Sequence, residues 1–369
     1  MKILQVGKYF PPEPGGMESS LFQLCDGLTR VSGVDVTCLV SNTGPRTIEE
    51  KVGRIGVIRA ARFGSLASTP LCPTFRRKDL EKDHDLVHFH LPNPLATFAY
   101  ADCSRPYVVT YHCDIVRYPG LLKAYLPALR SFLNRAKRVI VTSKALQSSS
   151  PVLRNFRECD VIPLGLDPSY LAPNQEREAL CARLRAEHGE KIALFVGRLV
   201  PYKGLGDLIE AMERVEGKLV IVGQGPERER LEKLVKDNDL ERKVSFAGYV
   251  PEDQIGAYYH ACDVVTLTST NTSEAFGMCL LEGQACKKAL LTTRLPTGVA
   301  MVNLADVTGV QAEVGDILGI AESLNRVLGD RELSRKLGEA GYAHFKKNFE
   351  RDVVVDTHMN LYRGVLGAS

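Results

Sequence analysis

Two glutamates eight residues apart, Glu274 and Glu282, bracket the segment Ser273-Glu274-Ala275-Phe276-Gly277-Met278-Cys279-Leu280-Leu281-Glu282. The segment follows an apolar run, Val264–Thr268, through a polar stretch. This order predicts a strand, a loop holding Glu274, and a helix whose first turn is Phe276-Gly277-Met278. Free amides and a positive dipole end at such a helix start suit a phosphate. Glu282 falls about two turns further on, where its carboxylate could accept from a ribose diol. Glu274 could do the same for sugar hydroxyls. A capped helix with two solvated acids explains the pair equally well on spacing alone.

The cations that would complete a phosphate site stand after another strand. Phe195-Val196-Gly197-Arg198-Leu199-Val200-Pro201-Tyr202-Lys203-Gly204 places Arg198 and Lys203 between a strand and an amphipathic helix, a setting suited to a diphosphate. Solvated surface charge is the plain alternative. The next strand ends in Val222-Gly223-Gln224-Gly225-Pro226, which lacks the third glycine of a dinucleotide fingerprint, and no Walker loop occurs anywhere. Near the N-terminus, Phe10-Pro11-Pro12-Glu13-Pro14-Gly15-Gly16-Met17-Glu18 sets paired glycines before a helix, where backbone can approach an anionic ligand or merely turn.

These loops need strands to hold them. In the first half, β-branched runs predict strands at Lys2–Val6, Val34–Val40, Leu86–His90, Tyr107–Tyr111 and Arg138–Thr142. In the second they fall at Ile192–Val196, Lys218–Val222, Val244–Ala247, Val264–Thr268 and Ala289–Thr292. Amphipathic helices alternate with them; Leu205, Leu208, Ile209 and Met212 recur at helical spacing. The fold class is therefore α/β, two doubly wound parallel sheets. The pattern restarts after Asp160-Val161-Ile162-Pro163-Leu164-Gly165, which predicts domains at 1–168 and 169–350. The strandless helical stretch 351–367 would cross back onto the first. Ligands of such sheets bind at the carboxyl ends of strands, in a cleft between the two domains.

With 369 residues, two domains are the natural expectation. No apolar run is long enough to span a bilayer, and the first residues read as a strand rather than a signal peptide. The ten cysteines form no C-x-x-C pair and read as core fillers in a reducing cytoplasm. No Asp-x-Asp motif is read as a metal site. Residues 1–168 hold 22 Lys and Arg against 15 Asp and Glu, a net +7, while the remainder carries 25 against 29, a net −4. The basic half should meet something anionic, ordinary surface variation being the alternative.

Taken together, the motifs resemble the family 4 glycosyltransferases, retaining enzymes of the GT-B fold. The resemblance runs almost end to end: Pro14-Gly15-Gly16-Met17-Glu18, His88-Phe89-His90-Leu91-Pro92-Asn93-Pro94, Thr110-Tyr111-His112-Cys113-Asp114-Ile115, Val161-Ile162-Pro163-Leu164-Gly165, Val196-Gly197-Arg198 with Lys203-Gly204, Val222-Gly223-Gln224-Gly225-Pro226, and the E-x7-E pair itself. It implies that Arg198 and Lys203 hold the donor diphosphate, that Glu282 binds the ribose and that Glu274 contacts the transferred sugar. The backbone of Phe276-Gly277-Met278, with Gly223, would position the donor. Gly15 and Gly16 would approach the diphosphate from the first domain, and His112 would stand near the reacting centre. No cofactor and no metal are implied. Lys287-Lys288-Ala289 and Leu295-Pro296-Thr297-Gly298 depart from common versions of the motif, the latter resembling members associated with bacterial surface-polysaccharide assembly and mannosyl transfer.

The expected activity is hexosyl transfer with retention, mannose from GDP-mannose, to a saccharide or lipid-diphosphate-linked acceptor bound by the first domain, with no nucleic acid involved. A UDP-sugar donor, a nucleotide-sugar epimerase or hydrolase, and a silent sugar-nucleotide-binding subunit are the alternatives. The basic amphipathic stretch Arg117–Arg138 and the cluster Phe75-Arg76-Arg77-Lys78 suggest peripheral contact with the inner face of an anionic membrane, or a core-facing helix with a solvated basic side.

Overall fold

The computed structural model describes every residue except Pro14, Ser68, 116–118, Asn155, Arg157 and 368–369, and the side chain of Pro119. Arg117, the start of the basic stretch, and Pro14 of the glycine motif thus lie outside the described residues. The chain packs as two units, Met1–Gly165 with Arg351–Ser369, and Leu166–Glu350.

The first unit is built on an eight-stranded sheet: β1 (Lys2–Val6), β2 (Asp35–Ser41), β3 (Ile48–Val52), β4 (Ile55–Ala60), β7 (Leu86–Leu91), β8 (Tyr107–Tyr111), β9 (Arg138–Val141) and β10 (Asp160–Val161). A separate hairpin joins β5 (Ser65–Leu66) to β6 (Thr69–Pro70). The order is β10-β9-β8-β7-β1-β2-β4-β3, parallel throughout except for β3 against β4. β7 and β8 are buried along their whole length, as strands covered on both faces must be. The final helix, Arg351–Leu366, packs on the first, Gly16–Thr29; Arg351 reaches Asp26 at 3.0 Å, and any side chain on Gly27 would strike Val355.

The second unit carries β11 (Ile192–Val196), β12 (Lys218–Val222), β13 (Val244–Gly248), β14 (Val264–Leu267), β15 (Ala289–Thr293) and β16 (Gly309–Ala312), all parallel, in the order β13-β12-β11-β14-β15-β16. Its three longest helices begin where polar side chains satisfy their first amides: Asn174 accepts from Arg177 N, Asp316 from Gly319 N and Asp330 from Leu333 N. The helix Leu205–Ala211 and the turn after it bury Leu205, Leu208, Ile209 and Met212.

Several strands differ from the sequence expectation. The pair β3–β4 and the edge strand β16 were not anticipated, and only Asp160 and Val161 of the 160–165 run join the sheet. Among the described residues no helix is long and apolar enough to cross a membrane.

Candidate active site

In a sheet ordered like that of the second unit, the connections leave in opposite directions from β11 and β14. The crevice between their carboxyl ends is where ligands bind such folds. The β11 loop brings Arg198 and Lys203 there, and the β14 loop brings Glu274. The two loops are stitched together: the Thr270 amide donates to the Tyr202 carbonyl at 2.8 Å, and the Thr268 hydroxyl to that of Gly204 at 3.2 Å. Gly204 sits at φ 65°, and a Cβ there would collide with the Thr268 carbonyl, so only glycine lets the loops close this far.

Lys203 Nζ donates to Glu274 Oε2 at 2.5 Å, and Ser269 Oγ donates to the same oxygen at 2.9 Å. Both charged side chains are largely buried, 12 % and 8 % exposed. Burial, the largest influence, pulls the Lys203 ammonium down, but the Glu274 carboxylate together with Cys279 and Tyr202 outweighs it, and the net movement is upward. Lys203 is therefore charged at neutral pH and has two further N–H bonds to offer. Glu274 Oε1 has no protein partner among the described residues. Arg198 is exposed, and its side chain makes no ion pair or hydrogen bond among them.

The helix after Glu274 begins at Met278, not Phe276 as the sequence suggested: it spans Met278–Ala285 with Gly277 as its N-cap at φ 83°. The reason is packing. Phe276 is 3 % exposed, its ring edge-on to Phe349 at 5.9 Å, and Gly298 N donates to Ala275 O at 2.8 Å, holding the segment against the 294–302 stretch. Only the Phe276 backbone is left to face a ligand. No side chain caps the helix; Leu280 N donates to Gly277 O at 2.9 Å, and the amides of Met278 and Cys279 have no hydrogen-bond partner among the described residues.

Glu282 is partly buried and held on both oxygens. Tyr170 donates to Oε1 at 2.5 Å, and Tyr259 donates to Oε2. Burial raises its carboxyl above the usual range, and the two hydroxyls oppose that. Each oxygen keeps a second lone pair, so the carboxylate is oriented yet still able to accept. Gly223 has a packing reason of its own: at φ 133°, a Cβ there would collide with the Gly197 carbonyl.

In the first unit the loops after β1 and β7 meet: Asn93 Nδ2 donates to Gly7 O at 3.0 Å. Arg59, from the unanticipated β4, donates to the carbonyls of Phe10 and Pro11 and so props the loop leading to Gly15 and Gly16. A Cβ on Gly15 would run into the Glu18 carboxylate, whereas the space beside Gly16 is open. Lys8, half-buried in the same loop, is lowered by burial, with Glu18 and Cys113 pulling the other way.

His112 ends a buried hydrogen-bond chain. Tyr362 OH meets His88 Nδ1 at 2.7 Å and accepts from Gln5 Nε2 at 3.3 Å. Gln5 Oε1 meets His90 Nε2 at 2.8 Å, and His90 Nδ1 meets His112 Nε2 at 3.0 Å. Burial lowers His88, His90 and His112 far enough to keep them neutral, His112 to about 4. The directions then follow. Gln5 Oε1 only accepts, so His90 carries its proton on Nε2 and accepts at Nδ1 from His112 Nε2–H. His112 Nδ1 is left as an acceptor. A cavity of about 20 Å³, room for one water, lies beside His90, Thr110, His112 and His358.

The basic clusters look different in three dimensions. Phe75 is fully buried. Arg76 pairs with Asp102 and Glu81, and Arg77 with Asp79 and Glu49. In the helix Pro119–Arg135, the side chains Tyr125, Leu129, Phe132 and Leu133 face the core. Arg135 donates to the Ala101 and Cys103 carbonyls, and Arg138 pairs with Asp160. Two Asp-x-Asp triplets do occur, Asp83-His84-Asp85 and Asp237-Asn238-Asp239; both precede strands, at the end of each sheet away from these loops.

Residues 14–170 match the sequence family described as Glycosyltransferase Family 4, and residues 176–344 match Glycosyl transferases group 1. The chain is 31 % identical over 376 residues to the O-antigen chain mannosyltransferase C of Escherichia coli, covering 99 % of each protein. This chain is a family 4 glycosyltransferase. It is also 30 % identical over 356 residues to the D-rhamnosyltransferase WbpZ of Pseudomonas aeruginosa, covering 95 % of the glycosyltransferase and 92 % of the relative. Sucrose-phosphate synthase from Thermosynechococcus elongatus superimposes with a TM-score of 0.81 over 100 % of both chains at 22 % identity, placing the glycosyltransferase in the GT-B fold class.

Sequence reasoning missed Ser269, Tyr170 and Tyr259, which hold the two glutamates, and Gln5, Thr110, His358 and Tyr362 around His112. Tyr170 lies 112 residues from Glu282 and Tyr362 lies 274 from His88, so no local pattern links them.

Proposed function

We propose that this glycosyltransferase moves mannose from GDP-mannose to a saccharide acceptor carried on a lipid diphosphate, with retention and without a metal, in the assembly of a bacterial surface glycan. The observation that carries the reading is the buried Lys203–Glu274 pair beside the uncapped start of helix Met278–Ala285. Charge builds on the departing diphosphate as the sugar–phosphate bond breaks. The spare N–H bonds of Lys203, the unpaired Arg198 and the helix amides would stabilise it. Glu274 Oε1 would accept from a sugar hydroxyl and Glu282 from the ribose. His112 Nδ1 would take a sugar hydroxyl as its donor. The mannosyl name of the Escherichia coli relative supports the choice of sugar.

A thermal-shift panel of GDP, UDP, ADP and their sugars tests this. At equal concentrations GDP should give the largest shift, and at 100 times its Kd it should stabilise the protein by about 2.7 kcal/mol. No shift with any nucleotide would refute the donor site. Tyr259→Phe, which removes one of the two hydroxyls holding Glu282, should weaken nucleotide binding about tenfold in calorimetry with little loss of kcat. An unchanged Kd would separate Glu282 from the ribose. Transfer should persist in excess chelator, and free mannose or an epimer as the main product would favour a hydrolase or epimerase.

A further inference from the structure

The helix read as a membrane-facing element turns its large apolar side chains inward, yet the first unit is not short of exposed apolar surface. Phe63, Leu66 and Leu71 stand 67 %, 66 % and 48 % exposed on one short hairpin. Its register pairs Leu66 with Thr69 and Ser65 with Pro70. Pro70 and Cys72 turn into the core, so Leu66, Thr69 and Leu71 share the outward face. Phe98 (60 % exposed), in the helix Pro94–Ala99 lying against β6, touches the Tyr125 ring at 5.7 Å; Leu121 (54 % exposed) is one helical turn before Tyr125.

The segments that carry this surface are basic in sequence: Arg62–Lys78 holds four Lys and Arg and no Asp or Glu, and the helix Pro119–Arg135 holds three and none. Arg76 and Arg77 are neutralised by acids, but Lys123 and Arg130 are exposed and have no carboxylate partner among the described residues. The Arg62 side chain, at the base of the hairpin, bonds to Tyr9 OH and the Thr43 carbonyl and to no carboxylate among the described residues. Exposed leucines and phenylalanines flanked by unpaired cations match the layering of an anionic bilayer, with acyl chains beneath charged headgroups.

We propose that the β5–β6 hairpin, with Phe98 and Leu121, is the membrane-docking surface of this protein and that its partner is an anionic phospholipid bilayer. The proposal gives a location to the lipid-borne acceptor reading and rests on it for its biological sense, but its test needs no transfer. Co-sedimentation with phosphatidylcholine vesicles, with and without phosphatidylglycerol, should show binding that requires the anionic lipid and weakens in high salt. Leu66→Glu with Leu71→Glu, both exposed sites, should lower it about tenfold or more without changing the melting temperature, and Lys123→Glu should reduce its dependence on phosphatidylglycerol. Transfer to a water-soluble acceptor should be unchanged in these variants. Equal vesicle binding by the wild type and the double variant would overturn the proposal. So would no binding at low salt, including the case in which gel filtration shows that the hairpin instead joins two copies of the chain. The nucleotide panel is unaffected by any of these outcomes.

Discussion

Lys203→Met should lower kcat about 10²–10³-fold if, as proposed, Lys203 is the fixed cation beside the departing diphosphate. The same change should destabilise the second unit by about 3–5 kcal/mol, since it leaves the Glu274 carboxylate buried with only Ser269 to bond it. These effects separate in a double variant. Lys203→Met with Glu274→Gln removes the unpaired charge, so most of the stability should return while kcat stays low. Denaturant midpoints and single-turnover transfer rates measure the two independently. If Lys203→Met turns over at the wild-type rate, Lys203 is a structural lysine and the leaving-group assignment fails.

The first unit should lose stability steeply in mild acid. Burial lowers all four of His88, His90, His112 and His358, the last two to about 4. An unfolded histidine takes its proton near pH 6.5, so the folded state holds fewer protons below that pH. The stability from keeping these rings neutral is complete above about pH 6.5 and drains away as pH falls towards 4. For His112 and His358 this amounts to about 3 kcal/mol each, a large share of a typical domain's 5–15 kcal/mol. Chemical denaturation between pH 7 and 4.5, followed by a probe in the first unit, should show proton uptake on unfolding by more than one group. His358→Leu should reduce that uptake by about one proton. A stability profile flat over this range would contradict the neutral chain and, with it, the acceptor role of His112 Nδ1.

Parallel strands buried on both faces were the easiest features to read. Lys2–Val6, Tyr107–Tyr111, Ile192–Val196 and Lys218–Val222 have the same bounds in sequence and structure because each is an uninterrupted β-prone run. β3 was invisible for the opposite reason: Ile48-Glu49-Glu50-Lys51-Val52 is an exposed edge strand, with no apolar run to mark it. The E-x7-E segment was legible because strand, loop and helix follow one another directly. The groups that tune it were not, because Ser269 is a plain loop serine until folding aims it at Glu274, and Tyr259 belongs to another helix. The clusters Arg76-Arg77-Lys78 and Arg135–Arg138 misled for a related reason. Besides the nearby Asp79 and Glu81, the partners Glu49, Asp102, the Cys103 carbonyl and Asp160 arrive from distant positions, so local charge density overstated the free charge.

The central proposal is that Lys203, Glu274 and Glu282 hold a nucleotide-sugar whose sugar is passed to another saccharide. The purified protein, given GDP-mannose labelled in the sugar and a glycolipid extract as acceptor, tests it most directly. The account predicts that the label moves into the acceptor with one GDP released per sugar, and that NMR of the product shows the anomeric configuration of the donor. Label remaining in the nucleotide, with GDP-mannose and with every other nucleotide-sugar offered, would contradict it.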